Sequence, residues 1–241
     1  MQRFGSLLLA SAVLIGCAQT RRPGNTNQLW GGGHPEDIAY LSVHNGTNKY
    51  RTKGTNADTN INADAEWYRL VFASWGGLEF NWAESADTLS GGAKLQSFDV
   101  FTFAAFPYEI SQASRLNNKF GGFYNEWNVS GGGPDDVDPW IVGGRYDGEY
   151  EYDAIRTDNL AFTLFGSGRV DFGWGRASTG AGSEGVSGLG WGYEAGLRLH
   201  GGSVFGQVSW IYRTQDVRGG KHFGSAEQGF EGAGISFGAR W

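Results

Sequence analysis

The sequence predicts an all-β fold, an eight-stranded antiparallel β-barrel crossing a membrane, with ten strands as the alternative. Three observations predict it. Glycine is 41 of 241 residues and aromatics are 15%, a composition suited to tightly packed, curved sheets. Long helices are disfavoured, because each interior glycine costs about 0.5–1 kcal/mol against alanine. From Trp67 onward apolar residues recur with a period of two, the signature of strands. The alternation also divides the strands into one apolar, aromatic face and one face of interspersed opposite charges.

The first residues read as a targeting segment. Arg3 supplies a positive start, and Leu7 to Ile15 forms an apolar run of signal-peptide length. The run closes on Leu14-Ile15-Gly16-Cys17, which resembles a bacterial lipoprotein signal, although Ile15 stands where Ala or Ser is usual. That resemblance implies removal of residues 1–16 and lipidation of Cys17, the one cysteine in the chain. The alternative is ordinary cleavage after Ala18. No disulfide within the chain is possible with a single cysteine. Residues 17–64 follow as a polar tether or plug, rich in Asn and Thr, with a possible short element at 38–43. The barrel is expected over 65–241.

The first strand is expected to be long. Tyr68, Leu70, Phe72, Leu78, Phe80 and Trp82 share one parity, which survives Gly76-Gly77. Strands two and three fall near 98–108 and 119–130. In the fourth, Trp140, Val142, Tyr146, Tyr150 and Tyr152 alternate with Arg145, Asp147, Glu149 and Glu151. The fifth sets Leu164, Val170, Phe172 and Trp174 against Arg169 and Asp171. The sixth sets Leu189, Trp191 and Leu197 against Glu194, Arg198 and His200. The seventh opposes Val208, Trp210 and Tyr212 to Ser209 and Arg213. The eighth opposes Ile235, Phe237 and Trp241 to Glu231, Ser236 and Arg240. Connections between these segments nearly alternate long and short, as when outer loops are long and inner turns short.

The final strand also carries a resemblance. Trp241, with Phe237 and Ile235 behind it on the same parity, resembles the C-terminal assembly signal of outer-membrane β-barrel proteins. The stretches 159–175 and 188–212 look like the second half of small major-outer-membrane-protein barrels. The resemblance implies insertion by the barrel assembly machinery, residence among outer-membrane lipid, and a surface role toward an unidentified extracellular or envelope partner. It implies no catalytic residues.

Charge and motif narrow the chemistry. A net charge of −6 and pI near 5.2 argue against a nucleic-acid surface. In a membrane barrel the charged face fills the lumen, so Arg145, Asp147, Glu149, Glu151, Arg169, Asp171, Glu194, Arg198, Arg213, Glu231 and Arg240 are expected to line it, together with Arg69 and Glu126. Opposite signs predict a structural network rather than a conducting path. His200 lies inward among these charges, yet no nucleophile, base and orienting group are spaced as a catalytic set. Asp135, Asp136 and Asp138 form an acidic loop able to offer oxygen ligands to Ca²⁺, and equally a polar turn. The run Asp58 to Asp64 opens like a calcium-binding loop, but Ala63 replaces the turn glycine and Arg69 the final Glu. The expectation is a non-enzymatic surface or structural barrel without cofactor. A small or gated diffusion channel is the alternative, and a membrane-embedded hydrolase a third reading.

Overall fold

The computed structural model describes residues 38–53, 59–73, 76–85, 94–130, 138–157, 160–179, 182–220 and 223–240. They form ten antiparallel strands: β1 (Ile38–Lys53), β2 (Thr59–Ala73), β3 (Gly76–Ser85), β4 (Lys94–Ser111), β5 (Ser114–Ser130), β6 (Asp138–Arg156), β7 (Leu160–Thr179), β8 (Gly182–Gly201), β9 (Val204–Arg218) and β10 (Ser225–Arg240). Each strand pairs with its sequence neighbours, and β1 closes the barrel on β10, Ile38 opposite Arg240. Closure leaves no sheet edge with unpaired backbone groups, a requirement for any sheet in lipid.

Eight strands are therefore corrected to ten, and both extra strands have a physical origin. The long first strand is a hairpin, β2 and β3. Ala73 pairs with Gly77 and Leu70 with Phe80, so paired positions sum to an even number. Such a turn keeps odd residues on the same side before and after it. Alternation alone then looks like one uninterrupted strand. The other addition, β1, comes from the segment expected to be a tether or plug, and the barrel begins at Ile38 rather than 65.

The polarity of the wall explains why β1 was hidden. On β2, Asn60, Asn62, Asp64 and Glu66 face outward while Ala63, Ala65 and Trp67 face in. One step on, Tyr68, Leu70 and Phe72 face outward and Arg69 faces in. The two faces exchange character within a single strand. The same exchange divides β1 between Val43 and Asn45, and β10 between Glu231 and Ala233. On β9, Trp210 and Tyr212 lead to Asp216 and Arg218 on one outward parity. Toward the end holding Ile38 and Arg240 the barrel is apolar outside and charged inside. Toward the other end it is polar outside and apolar inside.

The apolar outer belt includes Leu41, Leu70, Phe72, Leu164, Val170, Phe172, Leu197, Val208 and Ile235. Tyr68, Trp82, Trp174, Trp191, Tyr193 and Trp210 mark its border at the exchange, and Tyr108, Tyr150 and Tyr152 lie toward the opposite rim. Amphipathic rings at two levels suit the two interfaces of a bilayer. Apart from β3, which has 10 residues, the strands run to 15–20 residues and exceed the roughly 9–11 needed to cross a bilayer, so the polar-walled half stands outside it. At the belt end β2–β3, β4–β5, β6–β7 and β8–β9 are joined by two or three residues; at the far end the joins are longer except β7–β8, where only 180–181 intervene. The alternation of long and short connections expected from the sequence therefore fails at β7–β8.

Candidate functional site

The candidate site is the bore. Strand register builds it: Arg145 lies opposite Asp171 and Asp147 opposite Arg169 across β6 and β7. The Arg145 side chain is fully buried. Its Nε donates to Asp171 Oδ1 at 2.7 Å and its Nη1 to Asp99 Oδ2 at 2.8 Å. The rings of Phe101 and Phe123 flank the guanidinium at 4.9 and 4.8 Å. Arg169 shares Asp171 at 2.9 Å.

Two further groups of ion pairs span the bore. Arg69 on β2 reaches Glu194 on β8 at 2.7 Å, and Arg213 on β9 reaches Glu79 on β3 at 3.4 Å. Both guanidiniums stack on the Trp67 ring, at 4.7 and 4.4 Å. Nearer the short turns, Arg198 bonds Glu151 and lies 3.5 Å from Glu149, while Arg115 also bonds Glu151 and Lys119 faces Asp147 at 3.7 Å. Gln207 ties these groups together, accepting from Arg198 at 2.8 Å and donating to Glu194 at 3.1 Å. Among the described residues of these groups, seven bases (Arg69, Arg115, Lys119, Arg145, Arg169, Arg198, Arg213) meet seven acids (Glu79, Asp99, Asp147, Glu149, Glu151, Asp171, Glu194). Pairing of this kind offsets the desolvation that each isolated charge would suffer.

Above the charges, at the polar-walled end, the described lining of the bore is apolar. Tyr50, Leu95, Trp127, Val129, Ile141, Val186 and Val217 form one buried apolar cluster with Phe101, Phe103 and Phe123. At the short-turn mouth a cleft of about 370 Å³ is lined by Arg115, Glu151, Asp153 and Arg156 with the β4–β5 turn.

Some expected lumen residues lie elsewhere. Glu231 is a correction: it projects from the outer wall and pairs with Lys49 at 2.8 Å. Glu126 also faces outward and accepts from the Tyr124 hydroxyl. Both occur beyond the polarity exchange, where charge belongs outside. Ile235 and Phe237 face outward, exposed. The Arg240 side chain, Trp241, Cys17, Asp58, Asp135 and Asp136 lie outside the described residues. Asp138 is exposed at the start of β6.

His200 is buried beside Phe205. A different histidine, hidden within the polar lead, meets a serine: His44 Nε2 lies 3.1 Å from Ser209 Oγ. Ser236 is bonded to Ser42 instead, at 2.7 Å. His44 and Ser209 are both buried, and His44 packs against Trp67 at 5.2 Å. Once β1 is recognised as a strand, the even parity shared by Ser42, His44, Asn48 and Tyr50 brings His44 to the bore.

A closed antiparallel barrel with an apolar outer belt, aromatic borders and a charged bore defines the class: a β-barrel of the bacterial outer membrane. No protein-family model matches the chain, and no curated protein matches it. Among solved structures it is similar to the outer membrane protease OmpT from Escherichia coli, at 8% identity over 86% of this chain and 98% of that one, with a TM-score of 0.49. Ail, the attachment invasion locus protein of Yersinia pestis, shares 13% identity over 85% of this chain and 99% of its own, with a TM-score of 0.30. The translocator domain of the autotransporter NalP from Neisseria meningitidis shares 10% over 98% and 95%, with a TM-score of 0.33. What these proteins do does not transfer to this chain.

Proposed function

We propose that the chain is a non-enzymatic, non-conducting barrel of the outer membrane that carries an interaction surface beyond the bilayer. The observation that supports this most is the filling of the bore by paired charges in the membrane half and an apolar cluster above. Ions would have to cross both. Stable conductance steps of porin size from folded protein in planar bilayers would replace this reading with a diffusion channel; silence is expected. The burial of both His44 and Ser209 supports a structural role for that pair.

The partner of this reading is an extracellular or envelope molecule that meets the outer loops and the polar wall beneath them. Insertion by the barrel assembly machinery, and lipidation at Cys17, belong to the same proposal. Mass spectrometry of the mature N-terminus tests the latter: acylated Cys17 is expected, and an unmodified Gln19 start would remove the anchor. A single acyl chain binds membranes weakly, so Cys17→Ser is expected to alter maturation while the barrel stays inserted.

A further inference from the structure

Between the ion pairs and the apolar cluster lies a cavity of about 50 Å³, room for a few occupants of water size. Arg169, Arg213, Gln215 and Asn125 line it, beside the rings of Trp67 and Phe230. The lining is short of partners. Both side-chain polar atoms of Gln215, Nη1 of Arg169 and Oδ1 of Asn125 are buried without a hydrogen-bond partner in the protein. These three residues are 5%, 9% and 7% exposed. Leaving such a group unsatisfied costs about 1–3 kcal/mol, and more when it is charged.

The charges around the cavity indicate what fills it. Its lining holds two guanidiniums and one carboxylate, Asp99. Asp99 is already engaged, since Arg145 takes both oxygens and Asn81 donates to Oδ2 at 2.9 Å. Arg169 is held along one edge by Asp171, which also serves Arg145. Its free edge reaches Asp99 only at 3.7 Å. Arg213 has Glu79 at 3.4 Å, and Arg69 competes for that carboxylate at 3.8 Å. The Trp67 ring tempers Arg69 and Arg213 without supplying a full negative charge. The partnerless Nη1 of Arg169, beside Arg213 with its carboxylate no nearer than 3.4 Å and shared with Arg69, gives one small chamber an anion's environment.

We propose that this chamber binds one halide-sized anion, chloride in the natural setting. Arg169 Nη1, Arg213 and the amide nitrogen of Gln215 hold it, and a co-bound water donates to Asn125 Oδ1 and Gln215 Oε1. The ion joins the charged network to the apolar cap.

Crystals of the folded full-length protein grown in bromide test the site directly, and an anomalous peak between Arg169 and Arg213 is expected. Unfolding of the purified barrel, followed by its gel mobility, should be at least about threefold slower in chloride than in gluconate at equal ionic strength, as for a ligand present at a few times its Kd. That difference should vanish in Arg169→Gln and in Gln215→Leu. The second variant keeps both cations and decides the matter if the first does not fold. Ordered water alone at the site, or a halide effect that persists in the folded variants, would overturn the proposal.

Discussion

Arg145 holds Asp99 and Asp171 while lying between two phenylalanine rings. The net worth of such a buried set is small, because desolvation opposes attraction, but removing one member strands the others. Arg145→Met should therefore cost about 3–5 kcal/mol in urea unfolding of the folded barrel. Replacing Asp99, Asp171 and Arg169, which shares both carboxylates, by apolar residues in the same chain should restore most of that loss. A cost under about 1 kcal/mol for the single change would mean that water already solvates the two carboxylates. Glycine at a neighbouring position has an equally local reason. A Cβ on Gly188 would stand 2.3 Å from Ile141 Cδ1, and one on Gly190 would stand 2.5 Å from Gln215 Oε1. These inward positions of β8 are vacated for side chains from β6 and β9. Gly188→Val should lower stability by about 1–3 kcal/mol through overpacking, whereas a Cβ on Gly168 meets nothing within 4 Å and Gly168→Ala should fold normally.

Along a strand, the exchange of polarity makes the cost of a charge depend on height. Asn62 and Leu70 both face outward on β2. Leu70→Arg should cost up to about 2–4 kcal/mol according to its depth in lipid, measured by folding into vesicles against urea. Asn62→Arg should stay within about 0.5 kcal/mol. Equal costs would place both residues in the same medium and contradict the exchange. The same feature sets how far the strands were legible. β6 could be read directly, since Tyr146 and Tyr150 remain outside while Arg145 and Asp147 remain inside. β1 could not, because Asn45, Thr47, Lys49 and Arg51 place polar residues on its outward face, and Asn48 sits inside. A reader who seeks an apolar outer stripe finds only Leu41 and Val43. Glu231 and Glu126 misled for the same reason: alternation identifies which residues share a face, but not which medium that face meets. The pairings of the bore were less legible still. Arg145 with Asp171 follows from adjacent strands, whereas Arg69 with Glu194 depends on a closure that brings β2 opposite β8.

The whole barrel has an orientation that the positions of its turns define. Ser111 is exposed beside the two-residue β4–β5 turn, Val170 lies in the belt, and Asn62 lies on the polar wall. In a Cys17→Ser background, a membrane-impermeant maleimide applied to intact cells should label Asn62→Cys and spare both Val170→Cys and Ser111→Cys. Labelling of Ser111→Cys alone would invert the barrel. With the expected result, the polar wall becomes a collar of fixed freeboard. The nine residues of β1 from Asn45 to Lys53, at about 3.3 Å each and tilted by about 40°, lift the rim by about 20 Å. Neither sinking nor rising is tolerated: sinking would carry Asp64 and Glu66 into hydrocarbon, and rising would lift Leu70 and Phe72 into water. The molecule thus floats to a marked line, and whatever docks on its rim is met at a set distance from the headgroups rather than at the membrane surface itself.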